Sequence, residues 1–82
     1  MNIIFLKGKI ISKIEYEFII NNINNAIVIF KIQVEDNIII IKGYDEIADF
    51  CYRKLGVGQE IYLQGRINSK MEIIIQEIYI SK

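Results

Sequence analysis

The sequence contains no proline, no tryptophan and no histidine, and a single cysteine. Without histidine, and with Cys51 standing alone, the usual nitrogen and sulfur ligand sets for zinc cannot be assembled, so neither a metal nor a cofactor is expected. An internal disulfide is excluded on the same count. Excess charge is missing as well: ten Lys and Arg balance ten Asp and Glu. A neutral chain lacks the long-range attraction of an autonomous nucleic-acid binder, so any such binding is expected to be local and weak. Unbroken apolar runs reach no further than Ala26 to Phe30, and the first residues carry no basic-then-apolar leader pattern. Neither membrane association nor secretion is therefore expected.

What the sequence has in abundance is isoleucine, at 23 of its 82 positions, while alanine occurs only at Ala26 and Ala48. Isoleucine, asparagine and lysine have AT-rich codons, which points to an AT-rich genome and to an intracellular setting, a bacterial cytoplasm or a plastid. Residues 1–82 make one domain, near the lower size limit for a core that stands without disulfide, metal or partner subunit.

Periodicity gives the elements. Ile3 to Ile14 reads as one long first strand kinked at Gly8, and "NNINN" at 21–25 as a turn, since asparagine tolerates left-handed backbone angles. Between Ala26 and Val34 the pattern alternates: Ala26, Val28, Phe30, Ile32 and Val34 face inward, and Ile27, Ile29, Lys31 and Gln33 outward. A hairpin at "EDN" leads into Ile38 to Lys42. The one helical signal follows, with Asp45 as N-cap, a stripe of Ile47, Phe50, Cys51 and Leu55, and Gly56 as the stop. Glu60 to Ile67, a turn at "NSK" and Met71 to Ile80 complete the chain. Three strands, one helix and two strands make the order of an all-β fold with one helix, the five-stranded Greek-key barrel called the OB fold. Gly8, Gly43 and Gly65 fall where such a barrel turns its corners.

The stretches "IIFLKGKI", "IIIIKGYDEIADFCYRKLGVGQEIYLQGRI" and "SKMEIIIQEIYI" resemble the bacterial single-stranded-DNA-binding protein family, including its primosomal replication protein N branch. The resemblance spans nearly the whole chain and implies a non-enzymatic protein of DNA replication or primosome assembly. Its implied partners are single-stranded DNA, replication proteins and a second copy of itself, as a homodimer or tetramer. The chain departs from the family pattern in lacking tryptophan platforms, in carrying Lys42 where an aromatic often precedes the glycine, and in its short loops.

Alternation places Lys7, Lys9, Lys31, Lys42, Tyr62 and Arg66 on the outer side of the strands, where lysines can meet phosphates and a base can stack on Tyr62. Ile27, Ile29, Ile38 and Ile40 share that side and are expected to form an apolar patch between subunits. The alternative function is a protein-interaction barrel that has lost nucleic-acid binding. Glu15 and Glu17 lie on one strand face without a companion for acid–base work, and the acids at Asp45, Glu46 and Asp49 suit a helix N-terminus. No nucleophile, base and oxyanion stabiliser come together, so no enzyme activity is expected.

Overall fold

β-branched residues at alternating positions favour extended backbone with one face to pack, and six segments of this chain take that form in a computed structural model describing residues 2–20 and 25–81. In chain order these are β1 (Ile3–Ile10), β2 (Glu15–Phe18), β3 (Ala26–Val34), β4 (Asn37–Tyr44), the helix α1 (Asp45–Lys54), β5 (Glu60–Ile67) and β6 (Ile73–Ile80). The expected turn at 21–25 lies, but for Asn25, outside the described residues.

Five of the strands close a barrel. β1 runs antiparallel to β5, β5 to β6 and β4 to β3; β6 meets β4 in parallel at Ile41↔Ile73 and Lys42↔Ile74; and β3 returns to β1 at Lys9↔Gln33 and Ile10↔Ile32. This is the expected Greek-key barrel with its helix after the third barrel strand. The first strand departs from expectation, because Ile3–Ile14 is not one element. After Ile10 the chain bends, Ser12 Oγ accepts the Lys31 amide at 2.7 Å, and β2 then resumes pairing with β3 at Glu15↔Ile29. The side-chain hydroxyl takes over a ladder bond at the bend, and Ile14 stays buried beyond it. β2 is thus a sixth strand laid along the edge of β3 that β1 has left.

The inward set is as alternation places it. Ile10, Val28, Ile32, Ile41 and Ile61 are fully buried, and Phe30 is 1 % exposed. Each such side chain contributes about 1.5–3 kcal/mol through burial. Val34, near the hairpin, is only half-buried. From α1, Ala48 and Cys51 reach the same core, joined by Leu55 just past its end, and burial pushes the Cys51 thiol up to about 12.

Two helix signals resolve differently. Asp45 is the first helical residue rather than the cap, with φ +56°, and its Oδ1 accepts the Asn25 amide at 2.9 Å, tying the helix to the start of β3. The helix ends at Lys54 with Leu55 donating to the Cys51 carbonyl, and the left-handed glycine is Gly58 at φ +96°, not Gly56. The last strand begins at Ile73 instead of Met71, since Met71 sits at φ +63° inside the preceding turn.

Gly65 has a reason of its own. The β5–β6 register slips beside it, pairing Gln64 with Glu77 and Gly65 with Ile75, so that Gln76 is the extra residue of a bulge. The backbones close up there: a Cβ on Gly65 would stand 2.5 Å from the Ile74 carbonyl oxygen.

Candidate nucleic-acid interface

Direct pairing sets which outward side chains are neighbours, and it divides the six predicted binding residues. Lys9 is opposite Gln33, Lys31 opposite Ile40, and Lys42 opposite Ile29. Lys9 and Lys31 are therefore diagonal neighbours across β1 and β3, and Lys31 and Lys42 diagonal neighbours across β3 and β4. Such steps are about 7–8 Å. The three lysines form a staircase over the outer face of β1–β3–β4. Lys9 and Lys31 are exposed, and Lys42 is half-buried.

Arg66 stands two strands from Lys42 along one row, since Lys42 pairs with Ile74 and Ile74 with Arg66. Lys7 precedes Lys9 on the same outer face of β1, on the side toward β5 and Tyr62. Lys7 and Tyr62 are paired across β1 and β5, with the Lys7 ammonium 5.3 Å from the centre of the Tyr62 ring, a cation–π contact that already occupies one side of that ring.

The outer end of the staircase is organised by the turn between β5 and β6. Asn68 Oδ1 accepts the amides of Lys70 and Glu72, both at 2.9 Å, while its Nδ2 donates to Glu72 Oε1 at 2.8 Å. That carboxylate also receives Lys42 Nζ at 3.1 Å. The Asn68 bond first, and then Lys42, hold the Glu72 carboxyl below the usual carboxylate range.

The four isoleucines proposed as an interface run along β3 (Ile27, Ile29) and β4 (Ile38, Ile40) and meet on the Ile29–Ile40 diagonal. Ile29 lies between Glu15 and Lys42, Ile27 between Glu17 and Tyr44, Ile40 beside Lys31 and Ile38 beside Gln33. Directly opposite them stand Glu15, Glu17, Lys31 and Lys42, so the apolar run is flanked by charge. Ile38 is 63 % exposed at the hairpin and Ile40 marginally so, while β2 half-covers Ile27 and Ile29.

A second surface with apolar side chains lies on the outer face of β1–β5–β6. Phe5 is 75 % exposed, Tyr79 61 % and Tyr62 45 %, and together with Lys7, Gln64 and Glu77 they line a shallow concavity of about 500 Å³. Tyr62 and Tyr79 are direct cross-strand partners. The Tyr79 hydroxyl donates to Glu77 at 2.7 Å, a bond that raises its pKa. Phe5 and Tyr79 are absent from the residues predicted to bind. The parity shared by Phe5, Lys7 and Lys9 carries the signal for the first. For Tyr79 the bulge at Gln76 reverses the inward and outward positions of β6, so that Ile73 and Ile75 point in but Tyr79 points out.

Next to α1, Tyr16 of β2 packs on Tyr52, ring centres 4.7 Å apart, and donates its hydroxyl to Asp49 Oδ1 at 2.6 Å. That hydrogen bond raises the Tyr16 pKa. Tyr52 and Tyr16 are thus helix-to-strand packing. No group of three or more metal-ligating side chains occurs among the described residues, and no helix among them is long and apolar enough to cross a membrane.

No family model and no curated protein matches the sequence. Solved structures match its fold closely. The single-stranded-DNA-binding (SSB) domain of a Synechococcus protein superposes with a TM-score of 0.85 at 18 % identity, covering 96 % of this chain and 94 % of that one. A mitochondrial single-stranded-DNA-binding protein of S. cerevisiae gives 0.83 at 17 %, covering 98 % and 93 %. The small single-stranded-DNA-binding protein of Streptomyces coelicolor gives 0.79 at 16 %, covering 96 % and 91 %. The chain therefore has the OB fold in the form those domains take.

Proposed function

We propose that the protein is a non-enzymatic single-stranded-DNA-binding module that receives its ligand on the outer face of β1–β3–β4, with Lys9, Lys31 and Lys42 meeting successive phosphates. The lysine staircase carries the reading, because it lies over the barrel face on which OB folds take oligonucleotides. The fold neighbours that are single-stranded-DNA-binding proteins support it. The natural setting of such a module is replication or primosome assembly. Ile29 and Ile40 supply apolar contact between the lysines, in place of stacking rings.

Three phosphate contacts give a shallow salt dependence, a log–log slope of about −2 for a single strand. Between 50 and 200 mM salt the affinity should then fall roughly twentyfold. Anisotropy of a labelled thymidine oligonucleotide, titrated with protein at both salt concentrations and challenged with duplex DNA, tests this. Saturable binding with that slope and preference for the single strand supports the proposal. Absence of binding at low salt, or stronger binding to duplex, overturns it.

The aromatic β1–β5–β6 face favours a second, compatible reading: self-association. β1 pairs with β3 only at Lys9 and Ile10, which leaves its edge from Ile3 to Lys7 without a strand partner among the described residues. Open edges recruit other chains. Two β1 edges aligned antiparallel with Phe5 opposite Phe5 place Ile3 against Lys7, so no two lysines face each other and a continuous sheet forms. The chain mass is 9.6 kDa, and sedimentation should return twice that for the native protein and the monomer mass for Phe5→Glu. A concentration-independent monomer for both contradicts this reading and leaves the nucleic-acid proposal standing. The same face without nucleic-acid binding would serve the adaptor role.

A further inference from the structure

Lys42 is the staircase lysine whose charge is already answered. Its partner does not reach it by chance along a flexible side chain. Glu72 is only 14 % exposed and Lys42 20 %, and the Glu72 carboxylate is aimed by a turn whose bonds converge on one residue. Asn68 accepts from the Glu72 amide, donates through Nδ2 to the same carboxylate oxygen that receives Lys42, and donates its own amide to the Glu72 carbonyl at 2.9 Å. The turn also holds Met71 at φ +63°, a conformation that side chains rarely adopt. Such a turn keeps a carboxylate oxygen at hydrogen-bonding distance from an ammonium, the position a phosphate oxygen would take.

The geometry points to Glu72 as an intramolecular stand-in for phosphate, which a bound nucleic-acid strand must displace from Lys42. The inference rests on the β1–β3–β4 reading and adds to it a specific competitor. A mere brace between turn and β4 would be indifferent to ligand. A competitor has two consequences. Binding is weakened by the cost of breaking the pair, and Lys42 enters the salt dependence only after Glu72 has left.

The test is Glu72→Gln, which keeps an oxygen for Asn68 and removes the charge facing Lys42. Oligo-dT affinity is expected to rise about two- to fivefold, the range set by an ion pair of this exposure. The log–log salt slope should stay near that of the native protein, since Lys42 reaches its phosphate in both complexes, and in a Lys42→Gln background Glu72→Gln should leave the affinity unchanged. Asn68→Ala, which loosens the turn without altering charge, should move affinity in the same direction; a cooperative thermal transition well above the titration temperature verifies that each variant is folded. Unchanged or reduced affinity in Glu72→Gln while the native protein binds would make Glu72 a brace only and overturn the inference alone. Loss of binding in native protein and variant alike would overturn the functional reading together with it.

Discussion

Lys31 on β3 and Lys42 on β4 stand as diagonal neighbours on one outer face, because Lys31 pairs with Ile40 and Lys42 with Ile29. Each should contribute one phosphate contact. Lys31→Gln is therefore expected to make the salt slope of oligo-dT binding shallower by about 0.7, with no change in melting temperature. The titration at four or more salt concentrations checks this. Lys7→Gln should change the slope less, because the Lys7 ammonium already lies against the Tyr62 ring across β1 and β5.

Gly65 and Ile74 approach so closely at the bulge that any side chain on Gly65 must move backbone. Gly65→Ala is expected to destabilise the fold by about 1–3 kcal/mol, the cost of overpacking. Urea unfolding followed by far-UV circular dichroism measures it.

Cys51 is fully buried and its thiol pKa is pushed up to about 12 by burial. The thiolate that reacts with disulfide reagents is therefore scarce at pH 8. A thiol reagent should label no cysteine in the native protein and one in denaturant. Fast labelling under native conditions would place the residue at the surface.

Glu72 has a lowered pKa in the folded chain, through Asn68 and Lys42, with Lys70 adding to the field. A depressed carboxylate pKa stabilises the fold above the unfolded value, and that stabilisation is lost as pH falls through the folded value. The melting-temperature gap between native protein and Glu72→Gln is therefore expected to be open at pH 7 and to close progressively below about pH 4.5. Calorimetry across that range reads it; a gap constant with pH would mean that Glu72 is not held as an anion.

The barrel was legible because alternation is a two-residue period and Phe30, Ile32, Ile41 and Leu63 have no other place to go. The same alternation put Lys9, Lys31 and Lys42 outside. It failed where local hydrogen bonding or register broke the period. Ser12 bends the first strand by taking the Lys31 amide, and nothing in the pattern of Ile10 to Ile14 announces it. Asp45 has the residue type of a cap, yet its carboxylate serves Asn25 at the start of the neighbouring strand, a contact separated by 20 positions. The bulge at Gln76 turns Tyr79 outward, and only the pairing of β6 with β5 reveals that Phe5, Tyr62 and Tyr79 share a face. Outward parity likewise grouped Ile27, Ile29, Ile38 and Ile40, and the register joins the two strands' pairs on the Ile29–Ile40 diagonal. What parity could not give is that Glu15, Glu17, Lys31, Lys42 and Gln33 stand directly opposite them.

The most direct measurement is an amide chemical-shift titration of nitrogen-15-labelled protein with oligo-dT at low salt. The expected result is that the largest shifts fall on Lys9, Lys31 and Lys42 and on the turn at Asn68 to Glu72, while Phe5, Tyr62 and Tyr79 move little. Shifts concentrated on those three aromatic residues, or no shifts at all at saturating oligonucleotide, would contradict the assignment of the β1–β3–β4 face.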